Sequence, residues 1–148
     1  MTQRLEIYRC NVCKNIAEIV LEGEGALVCC GEEMELLVPA SNDSEGSCSV
    51  DGNCGKNEKH VPVIDYECEG VGVRIRVGEL PHPMEESHYI QFIEAISKNQ
   101  KTIHREYLYP GEKPEINVNC RSNLGKGDGL RAREYCNLHG LYISREEN

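Results

Sequence analysis

Four cysteines near the N-terminus constrain this chain more than any other feature. Cys10 and Cys13 are spaced as Cys-x-x-Cys, and Cys29 and Cys30 follow as an adjacent pair after fifteen intervening residues. A Cys-x-x-Cys turn presents two thiolates to one metal, and four thiolates in a tetrahedron suit zinc or a single iron. Neighbours on a strand point to opposite faces. Cys29 and Cys30 can therefore share a metal only if the backbone turns there, and Gly31 permits such a turn. Spacing does not choose the metal, and a structural zinc ribbon is the plain alternative. Either way, the first ~38 residues are too few to fold well on a hydrophobic core, so the metal supplies much of their folding free energy.

The whole chain has 148 residues, enough for one ordinary domain or one domain plus a very small one. Acidic residues outnumber Lys and Arg by 25 to 16, giving a formal charge of −9. Nucleic-acid binding draws its affinity from Lys and Arg on phosphates, so nucleic acid is not an expected partner. No apolar run approaches the roughly 20 residues that span a bilayer. The opening MTQRLEIYRC carries no apolar signal core. The expected location is cytoplasmic, with no membrane association. Nine cysteines, an odd number in clusters, then point to metal in a reducing compartment rather than to a disulfide framework.

The pattern along the chain is that of short strands. Residues 5–9 alternate apolar and polar. Two strand-like pieces flank Gly23-Glu24-Gly25, a hairpin signal, and MELLVPA is a third. Ser41 to Asn57 is polar and Gly-rich and reads as a linker. Beyond it come VPVIDYE, then VGVRIRV, where Val71, Val73, Ile75 and Val77 share one face and Arg74 and Arg76 the other. HYIQFIEAI reads as strand from its β-branched and aromatic content. TIHREYLY, EINVN and LYIS complete the set, separated by turns such as PGEKP and GKGDG. Many short strands without a convincing long helix predict an all-β chain ending in a β-sandwich.

A second cluster of ligand types lies in the C-terminal part: His60, His82, His88, Cys136 and His139. If residues 82–88 were one strand, six steps of about 3.3 Å would hold the two imidazoles about 20 Å apart. Pro81 and Pro83 break the strand, so His82 can sit on a loop that folds back toward His88. Cys136-x-x-His139 is a tight chelating turn followed by Gly140. His104, in the middle of a strand-like segment, reads as an ordinary solvated histidine. For the other four, a shared site and ordinary solvated or hydrogen-bonded side chains stand as alternatives; if shared, four imidazoles and one thiolate make five ligands, one more than structural zinc prefers, which argues for iron. A thiolate pushes electron density through the metal, as in thiolate-ligated haem enzymes, and one octahedral position stays open. Such a site is suited to binding and reducing a small oxygen species.

The segments YRCNVCKNIAEI and LVCCGEEM resemble the desulforedoxin-type iron module, and EKHVPVI, PHPMEESHYI and REYCNLHG resemble the catalytic module of superoxide reductase. In this order they are similar to the desulfoferrodoxin family of two-iron superoxide reductases, over nearly the whole chain outside residues 41–57. The resemblance implies one iron on Cys10, Cys13, Cys29 and Cys30. It implies a second on equatorial His60, His82, His88 and His139 with Cys136 axial. It also implies that Glu58 occupies the sixth position in the oxidised resting state, that Lys59 steers superoxide and assists proton delivery, and that Glu134 tunes the iron–sulfur bond. The implied architecture is a small metal-bound desulforedoxin-like β-module (1–38), a linker (39–57) and an immunoglobulin-like β-sandwich (58–148), forming a homodimer. The implied activity is one-electron reduction of superoxide to hydrogen peroxide without release of dioxygen, a detoxification suited to anaerobe-type metabolism, with rubredoxin or a similar small protein as electron donor.

Rival functions differ in what they require. A bare electron carrier needs no four histidines around a cysteine. A zinc adaptor would be redox-silent, and a dismutase must also oxidise superoxide, which a strong thiolate donor opposes. Some residues stand apart from the family pattern. Lys14 follows the first Cys-x-x-Cys where many relatives carry Gly, and the linker adds Cys48 and Cys54. Those two read as an idle loop pair, a redox-active pair, or an extra metal or oligomer contact. Cys68 and Cys120 fall in strand-like segments and read as small core residues. By composition alone Glu58 and Lys59 read as a solvated pair.

Overall fold

The computed structural model describes residues 1–41, 60–66, 72–78, 80–118 and 129–145. Cys48, Cys54, Glu58, Lys59, Cys68, Val71 and Cys120 lie outside these residues. The described residues contain strands and turns and no helix. The chain divides into two compact units, Met1–Val38 and Pro39–Asn148.

The first unit is built on β1 (Ile7–Arg9), the centre of a three-stranded antiparallel sheet with β2 (Ile16–Glu18) and β5 (Glu35–Leu37) at its edges. Between them, β3 (Val28–Cys29) and β4 (Glu32–Glu33) form a separate two-stranded ribbon. The hairpin expected around Gly23-Glu24-Gly25 does not form, because β2 pairs with β1 and β3 pairs with β4. The segment leading to Gly23 is bound to the N-terminal residues instead. The Leu5 amide donates to Ile19 O at 2.7 Å and the Thr2 amide to Gly23 O at 2.9 Å, and the Gly23 amide donates to the Thr2 hydroxyl at 3.0 Å. Val20 and Leu21 are left exposed. Only Leu5, Ile7 and Cys10 are buried apolar residues here, a core too small to hold the unit by itself.

The second unit is an immunoglobulin-like sandwich of two antiparallel sheets. One has the order β10 (Glu115–Val118), β7 (Val73–Val77), β6 (Pro62–Asp65). The other has the order β12 (Gly140–Ile143), β11 (Leu130–Cys136), β8 (Ile90–Ser97), β9 (Ile103–Tyr107). The period of two expected in VRIRV is present: Val73, Ile75 and Val77 are buried, while Arg74 and Arg76 turn outward to bind Asp65. HYIQFIEAI forms β8, as its β-branched content predicts. Both sheets feed one core, from Val73, Ile75 and Val77 of β7, Ile116 and Val118 of β10, Ile93 and Ala95 of β8, and Leu130, Ala132 and Cys136 of β11.

The strands read from the sequence did not include β11, although it lies inside the four-stranded sheet. Its polar residues are buried in cross-strand partnerships. Glu94 of β8 faces Arg133 on one side and Arg105 on the other. Both guanidiniums grip the fully buried carboxylate, Arg133 Nη2 at 2.8 Å from Oε2 and Arg105 Nε at 2.9 Å from Oε1. Next to this row, Phe92 stacks on Tyr135 and meets Tyr107 edge-on. Where β11 ends, the register slips so that Cys136 faces Ile90 rather than Gln91. Such bulges re-aim side chains beside functional sites. Here the slip turns Ile90 into the core opposite Cys136, which already shares a face with Leu130 and Ala132.

Candidate metal centres

The knuckle Cys10–Asn15 bends back on itself. The Lys14 amide donates to Cys10 O at 3.1 Å, the Cys10 amide to Asn15 O at 2.9 Å, and the Cys13 amide to the Cys10 sulfur at 3.5 Å. This amide holds the buried Cys10 thiol down at about 7. On the opposite ribbon, Cys30 (φ +54°) and Gly31 (φ +82°) both adopt left-handed conformations, the turn that adjacent ligand cysteines require. The Cys13 sulfur then lies 3.6 Å from that of Cys29, which lies 3.9 Å from that of Cys30. A tetrahedron with metal–sulfur bonds of about 2.3 Å has sulfurs about 3.8 Å apart, so the donor set fits a four-thiolate ion. Cys29, crowded by the sulfurs of Cys13, Cys10 and Cys30, is pushed up to about 12. Thiolates packed this closely repel one another, and a cation among them offsets that repulsion. Cys13 and Cys30 are exposed, so this centre reaches the surface.

The second cluster is deeper. His60 precedes β6, His82 and His88 lie in the β7–β8 connection, Cys136 ends β11, and His139 sits in the turn to β12. One donor atom from each lies within 4.8 Å of all the others. The sequence-predicted fold-back brings His82 to His88. A tight turn closes between Glu85 and His88, each amide donating to the other's carbonyl at 2.9 and 3.0 Å, and the two imidazole centroids are 4.7 Å apart. Gly140, at φ +89°, closes the β11–β12 hairpin after only three loop residues and so places His139 beside Cys136.

The four rings form a square. Successive centroids are 4.7 Å (His60–His82), 4.7 Å (His82–His88), 4.9 Å (His88–His139) and 4.6 Å (His139–His60), while the His60–His88 diagonal is 6.4 Å. A tetrahedral set would make all these separations alike. Such a donor set would suit a higher-coordinate ion, and the Cys136 sulfur lies 3.7 Å from His139 Nδ1. His60 Nε2 and His139 Nδ1 face each other at 2.9 Å, close to the ~3 Å between adjacent nitrogens on one ion at metal–nitrogen bonds of about 2.1 Å. His82 gives the clearest sign of an ion. Its Nδ1 donates to Pro83 O at 2.7 Å, which leaves the lone pair on Nε2, and Nε2 is buried with no hydrogen-bond partner among the described residues. Burial holds His82 down at about 4, so it is neutral at physiological pH, as a metal ligand must be.

His104 is not part of this cluster. It lies on β9, 2.8 Å from the Glu106 carboxylate, as expected of an ordinary surface histidine. Glu134 is fully buried, two residues before Cys136. Two residues at the site were not legible as functional. Asn137 joins the His88 segment to the ligand turn, and Tyr142 stacks on the His60 ring with centroids 4.7 Å apart. Their only signal in the sequence is closeness to Cys136 and His139.

The desulfoferrodoxin family model matches residues 53–145, and the model of the desulfoferrodoxin N-terminal domain matches residues 2–37. A desulfoferrodoxin homolog from Methanothermobacter thermautotrophicus is 43% identical, over 96% of this chain and 99% of that protein. A superoxide reductase from Pyrococcus furiosus is 34% identical, over 59% of this chain and 86% of that protein. The crystal structure of the superoxide reductase from Treponema pallidum shares the fold, with a TM-score of 0.63 at 24% identity, covering 98% of this chain and all of that one.

Proposed function

This chain belongs to the desulfoferrodoxin family, and on that premise we propose that it is a superoxide reductase that converts superoxide to hydrogen peroxide without releasing dioxygen. The observation that carries the reading is the square of four imidazoles closed by the Cys136 thiolate. In this reading His60, His82, His88, His139 and Cys136 would together hold one iron. Cys10, Cys13, Cys29 and Cys30 hold the other iron. Iron held in the five-ligand site would supply the one-electron reducing chemistry that takes superoxide to the peroxide level. The balance is one superoxide, one electron and two protons to one hydrogen peroxide.

The protein's own residues control access and protons. His60, His82 and His139 are buried and His88 is half-buried, so the protein around the imidazoles limits water at the site. In this reading Glu58 would fill the substrate position in the oxidised resting state, and Lys59 would attract the anionic substrate and help deliver protons. Glu134, fully buried two residues before Cys136, would tune the thiolate. A small electron donor of the rubredoxin kind re-reduces the iron. The protein acts as a cytoplasmic homodimer in detoxification, and no helix among the described residues is long and apolar enough to cross a membrane.

The test is stoichiometry. Fully reduced protein given a known dose of superoxide should yield one hydrogen peroxide per superoxide and no dioxygen. Release of half a dioxygen per superoxide, with turnover continuing in the absence of donor, would instead identify a dismutase.

A further inference from the structure

Three of the five ligands in the second cluster lie on connecting segments rather than on the β11–β12 hairpin. His82 orients itself through Pro83 O. His60 and His88 are each fastened by one residue of that hairpin. Asn137, in the hairpin turn, makes three hydrogen bonds to the two residues flanking His88. Its amide donates to Tyr89 O at 3.2 Å, the Tyr89 amide donates to its Oδ1 at 2.9 Å, and its Nδ2 donates to Ser87 O at 3.1 Å. The peptide on each side of His88 is thereby tied to the turn between Cys136 and His139.

Tyr142 does the same for His60 by a different means. Its ring lies nearly parallel to the imidazole, 17° between planes and 4.7 Å between centroids, and both residues are buried. The tyrosine is itself fixed. It pairs with Glu134 across β11, and a parallel bridge joins it to Ala40, with the Ala40 amide on Leu141 O at 3.0 Å and the Ile143 amide on Ala40 O at 2.8 Å.

We propose that Asn137 and Tyr142 are positioning residues by which the β11–β12 hairpin, already bearing Cys136 and His139, sets the orientation of His88 and His60 and so templates four of the five ligands of the second iron site. The proposal rests on the iron-site reading above. Groups that orient ligands usually matter about 10–100-fold in metal affinity. The two residues act on separate ligands, so either substitution alone should loosen the site.

The four-thiolate centre on the same chain serves as an internal reference. Full-length protein, iron-loaded and oxidised, would be challenged with a chelator while the absorption bands of both centres are followed. Asn137→Ala and Tyr142→Leu should each release the second iron about tenfold faster or more and shift its ferric–thiolate band, leaving the four-thiolate band unchanged. Tyr142→Phe, which keeps the ring that stacks on His60, should hold the second iron better than Tyr142→Leu. Unchanged release and an unmoved band in both Asn137→Ala and Tyr142→Leu would overturn the proposal, as would a Tyr142→Phe as defective as Tyr142→Leu. Unsubstituted protein that takes up no second iron would overturn the iron-site reading itself, a distinct result.

Discussion

Single residues decide whether each cluster can close. Lys14 holds a left-handed φ of +65° in the first knuckle, a conformation that costs an L-residue about 1 kcal/mol or more, and its ammonium is tied to Asn11 O at 2.6 Å. Lys14→Gly should therefore stabilise the metal-loaded N-terminal unit by about 1 kcal/mol, read as a higher melting temperature of its thiolate absorption. A lower one would show that the Lys14–Asn11 tie outweighs the strain. Lys59 tests the substrate's approach. Lys59→Ala should slow superoxide capture about tenfold at low salt and much less at high salt, because screening removes the attraction it supplies. Equal rates for the two proteins at both salt levels would remove its steering role. Seven of the nine ligand positions were legible from local constraints, namely Cys-x-x-Cys, Cys-Cys before Gly31, prolines around His82, and Cys-x-x-His before Gly140, whereas His60 and His88 joined the set through the family resemblance. Asn137 and Tyr142 were not, because their partners Ser87, Tyr89 and His60 lie roughly 50 to 80 residues away in sequence.

Elements were legible wherever one face met water. β7, with buried Val73, Ile75 and Val77 against outward Arg74 and Arg76, announces itself. β11 does not, since Arg133 and Glu134 look like surface residues and are both buried. Arg133 is buried only because Glu94 and Arg105 complete its row across three strands. Removing the central charge leaves two arginines facing each other, and breaking a buried ion pair costs about 3–5 kcal/mol. Glu94→Gln should lower the unfolding free energy of the sandwich by about 3 kcal/mol or more in a denaturant titration. A loss below about 1 kcal/mol would mean that the row is fixed by the Phe92–Tyr135 stack rather than by charge. The misread hairpin at Gly23-Glu24-Gly25 has a related cause. A glycine turn shows where the chain bends, but the Thr2 and Leu5 amides decide what the preceding segment pairs with.

At the scale of the whole molecule, two compact units divide between Val38 and Pro39, and each gathers one ligand set. The first depends on its metal, having only three buried apolar residues, whereas the second has a continuous core from both sheets. Cys13→Ser should thus abolish the first centre and loosen its unit, yet leave single-turnover superoxide reduction by pre-reduced protein intact. Loss of that turnover would show that the two centres depend on each other. The central claim, two different iron centres on one chain, is tested most directly by visible absorption of the purified protein before and after mild oxidation, with iron and zinc quantified on the same sample. The account predicts two irons per chain, one thiolate-to-iron band present at the outset and a second appearing on oxidation. A colourless, zinc-loaded protein that stays colourless after iron reconstitution would contradict it.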